Sequence, residues 1–472
     1  MYDLAGVISS SVRVYLNGKK IDIRGFSSYV DMYLGENDIK IKREKKNEKD
    51  RWEVIVSISE GQFQQVSFVN SICTSRGGTH VNYVTEQITD QLMEVIKKKH
   101  KDLNIKPFQI KNHLWVFINC LIENPSFDSQ TKETLTLKVQ NFGSTCELSE
   151  KFLKEITKSG IIEAIVAQAK AKSDAKLAKA LNGSKKSRLL GIPKLEDAND
   201  AGTRNAEHCT LILTEGDSAK SLAMAGVEVV GRDRYGVFPL KGKLLNVREA
   251  TNKQILENQE IQNIIKILGL QVGKTYNDLK SLRYGSLMIM ADQDHDGSHI
   301  KGLIINFIHH YWPSLIRTEG FLKQFITPII KATKGNQQKV FFTVQDYKRW
   351  AEDPNNRAKT WKIKYYKGLG TSTDKEAKEY FQAIDKHQIE FEYVDQRDDE
   401  SIDLVFSKKK VEARKEWLKD YNPDAEIDYS QASIRYYDFV HKELIHFSNS
   451  DNVRSIPSIC DGLDRKSTRL NS

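Results

Sequence analysis

Three aspartates, Asp292, Asp294 and Asp296, alternate with other residues directly after the apolar run 287–291. A short, continuous apolar run of this kind predicts a buried strand. If the chain stays extended beyond it, alternate side chains share a side, so the three carboxylates should converge. Converging carboxylates repel one another unless a cation lies among them. Because oxygen ligands favour hard divalent cations, the pattern predicts a site for Mg²⁺ or Ca²⁺.

The same Asp-x-Asp-x-Asp-Gly pattern also begins the calcium-binding loop of an EF-hand. That loop needs a Glu at its twelfth position and a helix before its first. Counted from Asp292, the twelfth residue is Leu303, and a strand is predicted before the loop. The EF-hand is therefore excluded, whereas a solvated acidic turn remains an alternative, since Asp-rich turns are common.

A fourth carboxylate, Glu215, follows the predicted strand 210–214 and precedes a predicted helix over 217–225 that Gly226 is expected to end. Open α/β sheets bind their ligands at the carboxyl ends of strands. Asp292 stands at the end of a second predicted strand, and apolar spacing over 300–308 predicts a helix with one buried face after it. Glu215 and the aspartates are thus placed in the same structural context.

The segment 236–246 lies between the two acidic sites and carries Lys241 and Lys243. It is not a P-loop, because five residues separate its glycines and Leu244 follows the second lysine. A basic turn beside an acidic metal site nevertheless suits a phosphodiester substrate, which needs both kinds of group.

Composition narrows the class of protein. The 472 residues carry 72 basic and 63 acidic side chains, a net charge of +9, and the range 151–190 holds ten basic residues against three acidic ones. Such a stretch suggests nucleic acid, although solvated helix faces are the more frequent cause. No apolar window of about 20 residues predicts a membrane span. Five scattered cysteines without a C-x-x-C pair indicate reduced thiols and argue against zinc.

The elements that must position these residues form an α/β multidomain chain. Apolar and β-branched patterns predict the first set of strands, at 12–16, 52–58, 62–69 and 114–122. Helical spacing over 81–96 ends in Lys97, Lys98 and Lys99, which suit the dipole at a helix C-terminus. A long helix over 149–181 and a linker over 185–207 are predicted next. Beyond the second α/β unit, strands are predicted at 338–344 and 361–366, and helical patterns after 367–373 and at 411–418 and 437–447.

Two of these segments, Glu-Gly-Asp-Ser-Ala at 215–219 and Asp-Gln-Asp-His-Asp-Gly-Ser at 292–298, resemble a Toprim domain. Longer strings at 210–220, 298–302, 365–373 and 447–450 resemble the central part of a eukaryotic type II DNA topoisomerase. The resemblance runs from near the N-terminus to about Leu463. It implies, in order, the end of an ATPase region with a transducer-like α/β domain (1–148), a long helix and linker (149–207), a Toprim α/β domain (208–330), a Toprim extension and linker (331–435), the start of a truncated winged-helix domain (436–463) and a tail outside the family pattern (464–472).

The resemblance implies an ATP-dependent enzyme that changes DNA topology by transient double-strand cleavage, passage and religation. It assigns Glu215, Asp292 and Asp294 as ligands of one or two Mg²⁺ ions, with Glu215 also the general acid/base. Asp296 is expected to act indirectly or at a second metal position, or else to cap the following helix.

Other positions are carried over in the same way. Gln130, Thr131 and Lys132 match a loop that reaches ATP, and Lys243 and Asn246 match DNA-contacting positions. Lys241 is also expected to bind DNA, although it stands where the family usually has Arg, which is not equivalent at a bidentate phosphate contact. The lysines at 97–99 are added as candidate DNA-binding residues.

The resemblance further implies double-stranded DNA as partner, a homodimer in the full-length enzyme, a nuclear location and no membrane. The nucleotide-binding domain and the catalytic tyrosine are expected outside this sequence, so the isolated chain is expected to be inactive. Two alternatives come from other classes: a Toprim nuclease or primase, and a non-catalytic DNA-binding fragment.

Overall fold

The structure, a computed structural model, falls into two compact units, Met1–Asp174 and Ala175–Ser472. It describes residues 1–9, 11–36, 38–45, 47, 49–100, 103–183, 189, 191–366, 368–460 and 462–463. The expected tail, 464–472, lies outside the described residues, as does Lys367. Within the described ranges, no helix combines the length and apolar character needed to cross a membrane.

The first unit is built on a five-stranded mixed sheet. The strands of the whole unit, including two outside this sheet, are β1 (Tyr15–Leu16), β2 (Lys19–Lys20), β3 (Ile41–Lys42), β4 (Trp52–Ile58), β5 (Gln64–Val69), β6 (Ile72–Cys73) and β7 (Leu114–Cys120). Its helices are α1 (Tyr2–Val7), α2 (Phe26–Val30), α3 (Thr79–Lys99), α4 (Pro107–Lys111), α5 (Glu150–Lys158) and α6 (Ile161–Leu181), the last of which ends in the second unit. The sheet order is β3-β4-β7-β5-β6, and β1 and β2 form a separate hairpin.

The predicted α/β character of this unit is confirmed. Strands β4, β5 and β7 lie where β-branched and aromatic residues predict them, and α3 ends at Lys99 as its lysines predict. The strand predicted over 12–16 is wrong for its first three residues, because only the last two pair.

The long helix predicted over 149–181 is interrupted. It is two helices, α5 and α6, because Gly160 between them has φ +88°, a left-handed conformation that ends a helix. Ser149 begins α5 by accepting a hydrogen bond from the Phe152 amide. The Ser159-Gly160 pair was the local signal for this break.

The second unit contains the remaining elements. Its strands are β8 (Thr210–Glu215), β9 (Tyr235–Leu240), β10 (Ser286–Met290), β11 (Leu322–Phe325), β12 (Ile330–Lys334), β13 (Gln337–Phe341), β14 (Lys362–Tyr365), β15 (Gln388–Glu392) and β16 (Ser433–Arg435). Its helices are α7 (Gly216–Val230), α8 (Asn252–Glu257), α9 (Gln259–Leu268), α10 (His295–Tyr311), α11 (Pro313–Ile316), α12 (Val344–Glu352), α13 (Asp374–Gln382), α14 (Gln396–Phe406), α15 (Val411–Lys419), α16 (Tyr436–Asp438) and α17 (Ile445–Ser455), with a π-helical turn over Phe439–Leu444 before α17.

A six-stranded sheet of order β16-β15-β11-β10-β8-β9 organises this unit. Strands β11, β10, β8 and β9 are parallel, so their carboxyl ends share one edge. Leu211 and Leu213 enter the core on one face of the sheet, whereas Ile212 and Met288 enter the core on the other. Both faces are therefore covered, as expected for parallel strands that read as continuous apolar runs.

Helix α7 is longer than the predicted 217–225. It begins at Gly216 and ends before Gly231, whose φ is +92°. Gly226 lies inside the helix, where a β-carbon would stand 2.1 Å from the ring of Phe381 on α13. The absent side chain at Gly226 thus lets α7 and α13 approach closely.

Glu376 joins α13 to the small sheet of β12, β13 and β14. Its carboxylate accepts hydrogen bonds from Lys364 at 3.0 Å, from the Tyr366 hydroxyl at 2.5 Å and from the Thr373 amide at 2.9 Å. Burial alone would raise the pKa of Glu376, but these hydrogen bonds outweigh it and lower the pKa to about 2.

Glu376→Gln should therefore lower the free energy of unfolding of this unit by about 2 kcal/mol near neutral pH, because hydrogen bonds to a charged group are removed. The folded-state pKa is depressed from 4.5 to about 2, so this stabilisation is present above pH 4.5 and disappears as pH falls to about 2. Urea unfolding of both chains across this pH range measures the difference. Glu379→Gln, on the same helix but more exposed, is the control. An equal difference at both ends of the range would contradict the assignment.

Candidate metal and nucleic-acid site

Glu215 and Asp292 meet at the carboxyl edge of the six-stranded sheet. Strands β8 and β10 pair in parallel with Thr214 opposite Met290, so Glu215 and Asp292 follow the last pair by one and two residues. The Asp292 amide donates a hydrogen bond to Glu215 Oε2 at 3.0 Å, and Asp292 Oδ1 accepts one from the Leu369 amide at 2.7 Å. The structure thus brings together two of the carboxylates that the sequence singled out.

Asp294 directly precedes α10 and caps its N-terminus. Its Oδ1 accepts a hydrogen bond from the Gly297 amide at 2.8 Å, and the Ser298 hydroxyl lies 3.0 Å from the Asp294 peptide oxygen. A carboxylate is favoured at this position because it satisfies a free amide of the first helical turn. The suggestion that Asp296 caps the helix is therefore wrong, since Asp294 does so.

Asp296 instead faces two cations. Lys243 Nζ lies 2.6 Å from Asp296 Oδ1, and an Arg454 nitrogen lies 3.3 Å from the same atom. The hydrogen bond from Lys243, followed by that from Arg454, lowers the pKa of Asp296 against the opposing effect of burial. Its expected part in metal binding stays a prediction.

The pKa values of Glu215 and Asp292 are shifted upward, in contrast to the lowered pKa of Asp296. Burial raises the pKa of Glu215, and the negative charges of Asp292, Asp294 and Asp296 raise it further. The hydrogen bond from the Asp292 amide lowers this pKa but does not cancel the rise. Burial also raises the pKa of Asp292, with a contribution from Asp294 against the Leu369 amide. Among the described residues, neither group nor Asp294 forms an ion pair. A bound cation would relieve this repulsion.

The donor set suits a hard cation, but the ligands do not already surround a common point. Within the described ranges, no three His, Cys, Asp or Glu side chains form a group that could hold a metal ion. Glu215, Asp292 and Asp294 offer only carboxylate oxygens, the ligands of Mg²⁺ and Ca²⁺. These three would have to draw closer around an ion.

A cleft of about 400 Å³ opens beside Glu215 and is lined by Lys194, Asp217 and Lys241 among others. Lys194 pairs with Asp217 at 2.5 Å, and the exposed Lys241 uses its backbone amide to bond Glu260. Two carboxylates, Glu215 and Asp217, and two lysines therefore line one cleft, which suits a phosphate-bearing ligand held through a metal ion. Sequence reasoning missed Lys194, because nothing in its local pattern marks it.

The other residues predicted to contact DNA have different surroundings. Lys243 lies 4.8 Å from the centre of the Phe447 ring, in addition to its ion pair. The side chain of Asn246 donates a hydrogen bond from Nδ2 to the Phe406 carbonyl at 3.0 Å. Its Oδ1 accepts one from Asn306 Nδ2, also at 3.0 Å. Asn246 is thus engaged within the protein, and its DNA contact stays a prediction.

The remaining predicted site residues lie in the first unit. Gln130, Thr131 and Lys132 are exposed on a loop, where Lys132 has φ +57° and its ammonium lies 5.9 Å from the Phe127 ring. The range 97–99 forms the exposed last turn of α3. Their roles with ATP and DNA stay predictions.

The second unit is an α/β domain in which two adjacent parallel strands, β8 and β10, end at carboxylates. Residues 210–325 match the Toprim domain family, and 325–452 match the C-terminal associated domain of TOPRIM. Residues 25–184 match the DNA gyrase B family.

Similar proteins narrow the class further. DNA topoisomerase 2-beta of Gallus gallus is 56% identical over 98% of this chain and 29% of its own length. DNA topoisomerase 2-alpha of Homo sapiens is 55% identical over 98% of this chain and 31% of its own length. A crystal structure of the Plasmodium falciparum topoisomerase II DNA-binding, cleavage and re-ligation domain is 57% identical, with a TM-score of 0.56, over 59% of this chain and 38% of that one. The chain belongs to the eukaryotic type II DNA topoisomerase family and spans about 30% of the length of the curated relatives it matches.

Proposed function

We propose that this chain is the section of an ATP-dependent type II DNA topoisomerase that carries the Mg²⁺-binding half of the DNA cleavage and religation site. The observation that supports it most is the contact between Glu215 and the Asp292 amide at two adjacent strand ends. Both carboxylates have raised pKa values, and Lys194 and Lys241 line the same cleft. An acidic site beside lysines is what hydrolysis or transfer at a phosphodiester requires.

In this proposal, Mg²⁺ supplies charge stabilisation at the scissile phosphate. Glu215, Asp292 and Asp294 would hold it, and the Leu369 amide orients Asp292. Glu215 gives a proton to the leaving 3′ oxygen of DNA and removes it again during religation. Its raised pKa suits such a group, because acid–base catalysts work best when their pKa lies near the working pH. We assign the nucleophile to none of the tyrosines of this chain.

The first unit has a separate role in the proposal. Its match to the DNA gyrase B family over 25–184 supports a transducer that senses ATP bound in a neighbouring domain, through Gln130, Thr131 and Lys132. This match also disfavours a self-contained Toprim nuclease or primase. Double-stranded DNA as substrate, homodimerisation and a nuclear location belong to the same proposal and rest on the similar topoisomerases.

A chimera tests the function directly. Residues 1–463 would replace the matching section of human DNA topoisomerase 2-alpha, and ATP-dependent relaxation of a supercoiled plasmid would be measured. The chimera should relax the plasmid, and its Glu215→Gln variant should not, while Asp424→Asn, on an exposed loop, should have no effect. Full activity of the Glu215→Gln chimera would disprove the acid–base assignment. The 472-residue chain alone should not relax the plasmid.

The chain should bind duplex DNA weakly, with an affinity that falls steeply as salt rises, because phosphate contacts release counterions. Lys243→Gln should reduce the slope of log K against log salt concentration by about one for each DNA phosphate that the lysine neutralises. Fluorescence anisotropy at several salt concentrations measures it, with the exposed Lys386 changed to Gln as control. An unchanged slope in Lys243→Gln would remove this lysine from the DNA-binding surface.

A further inference from the structure

Beside the acidic loop, residues 292–296, a polar cluster is formed by the buried Ser298 and Lys301 and the half-buried Glu443. Lys301 and Ser298 lie on α10, whereas Glu443 lies in the π-helical turn over Phe439–Leu444. Lys301 Nζ is 2.6 Å from Glu443 Oε1, and the Ser298 hydroxyl donates to the same oxygen at 2.8 Å. Lys301 is 2% exposed, so this ammonium depends on protein partners.

Glu443 and Lys301 each form one further hydrogen bond outside the cluster. Tyr429 donates its hydroxyl to Glu443 Oε2 at 2.8 Å, and Lys301 also donates to Gln324 Oε1 on β11 at 3.0 Å. A buried ion pair is weak evidence for stability, because desolvation offsets its attraction. Its demanding geometry instead favours one arrangement of the groups that it joins. The π-helical turn supports this view. Such turns are rare in proteins, and those that occur are often found at functional sites.

One atom connects this cluster to the acidic loop. The Ser298 hydroxyl contacts Glu443 on one side and the peptide oxygen of Asp294 on the other. Asp294 in turn caps α10 through the Gly297 amide. A displacement of the Glu443 carboxylate would therefore shift the first turn of α10 and with it the Asp294 side chain.

We propose that Glu443 is a positioning residue for Asp294, acting through Ser298 and Lys301 to keep the first turn of α10 within reach of an ion bound at Glu215 and Asp292. This inference rests on the proposed metal site. Glu443 itself touches neither the ion nor DNA in this role, because its two oxygens are used by Lys301, Ser298 and Tyr429.

Two conservative variants of the full 472-residue chain separate position from charge. Glu443→Asp keeps the charge but shortens the side chain by one methylene, so it no longer reaches its partners from the same backbone. Glu443→Gln keeps the length and an acceptor for Ser298 but loses the charge. We expect Glu443→Asp to weaken Mn²⁺ binding about 10–100-fold, the usual cost of removing a partner that orients a ligand, and Glu443→Gln to weaken it clearly less. Isothermal titration with Mn²⁺ measures both.

The proposal is overturned if Glu443→Asp binds Mn²⁺ like the wild type, or if Glu443→Gln loses as much as Glu443→Asp. Ser298→Ala should also weaken binding, about tenfold, and should add little to Glu443→Asp, because the two residues act through one contact. Full additivity would overturn the pathway through Ser298. Asp398→Asn changes a different buried carboxylate, which pairs with Arg435 at 3.0 Å, and should reduce stability without changing Mn²⁺ affinity.

Hydrogen exchange in the metal-free chain separates this inference from the proposed function. The Gly297 amide, which donates to Asp294 Oδ1, should exchange faster in Glu443→Asp than in the wild type. If wild-type chain binds no Mn²⁺, the proposed metal site fails, and the exchange rate alone decides whether Glu443 positions the loop. An unchanged rate at Gly297 would overturn that positioning role even if Mn²⁺ binds.

Discussion

Replacing Asp292 and Asp294 together by asparagine should weaken Mn²⁺ or Mg²⁺ binding at least 100-fold, about 2.7 kcal/mol in binding free energy. Two of the three carboxylates proposed to hold the ion would lose their charge, and hard cations bind carboxylates best. Asparagine keeps the oxygen that accepts the Leu369 amide at position 292 and the oxygen that caps α10 at position 294. The fold should therefore survive, which alanine at the cap would endanger.

Isothermal titration with Mn²⁺ or Mg²⁺ measures this effect, and far-ultraviolet circular dichroism checks the fold. Asp424→Asn makes the same type of substitution once, on an exposed loop of the same unit, and should leave the titration unchanged. Equal binding heats for the double variant and the wild type would place the metal site elsewhere.

The second large effect is expected at Gly297, the third residue of α10. An alanine β-carbon there would stand 2.0 Å from the Asp292 peptide oxygen, a contact that only a shift of backbone could relieve. Glycine to alanine inside a helix ordinarily stabilises it by up to about 1 kcal/mol. Here the overlap should reverse the sign and lower the free energy of unfolding by about 1–3 kcal/mol. Metal affinity should fall with it, because the backbone that moves carries Asp292 and Asp294.

Gly370→Ala is the matched control, since a β-carbon at Gly370 would meet no atom within 4 Å. Urea unfolding and Mn²⁺ titration of the two glycine variants give the comparison. If Gly297→Ala is as stable as Gly370→Ala and binds Mn²⁺ equally well, the close packing of the acidic loop is not required for the site.

Local patterns predicted most of the framework of this protein. Strands β4, β8 and β10 and helix α3 lie close to their predicted places, because buried strands select short runs of apolar and β-branched residues, and a helix with one buried face imposes a period of about 3.6 residues. Helix ends were predicted less well: Gly160 divides a helix that apolar spacing alone predicts as continuous. Gly226 was expected to end α7, but the helix continues past it. A close contact with the Phe381 ring, not a helix end, explains this glycine.

For the site, the sequence patterns placed Glu215 and Asp292 correctly at strand ends. The predicted convergence of Asp292, Asp294 and Asp296 on an extended chain is wrong, because α10 already begins at His295. Glu215 and Asp292 each follow a strand, and parallel neighbours place their carboxyl ends at one edge. How these carboxylates are held became visible only in the folded chain. Asp296 pairs with Lys243 and Arg454, which stand 53 and 158 residues away from it. Such partners depend on how distant elements pack, and local periodicity carries no information about that packing.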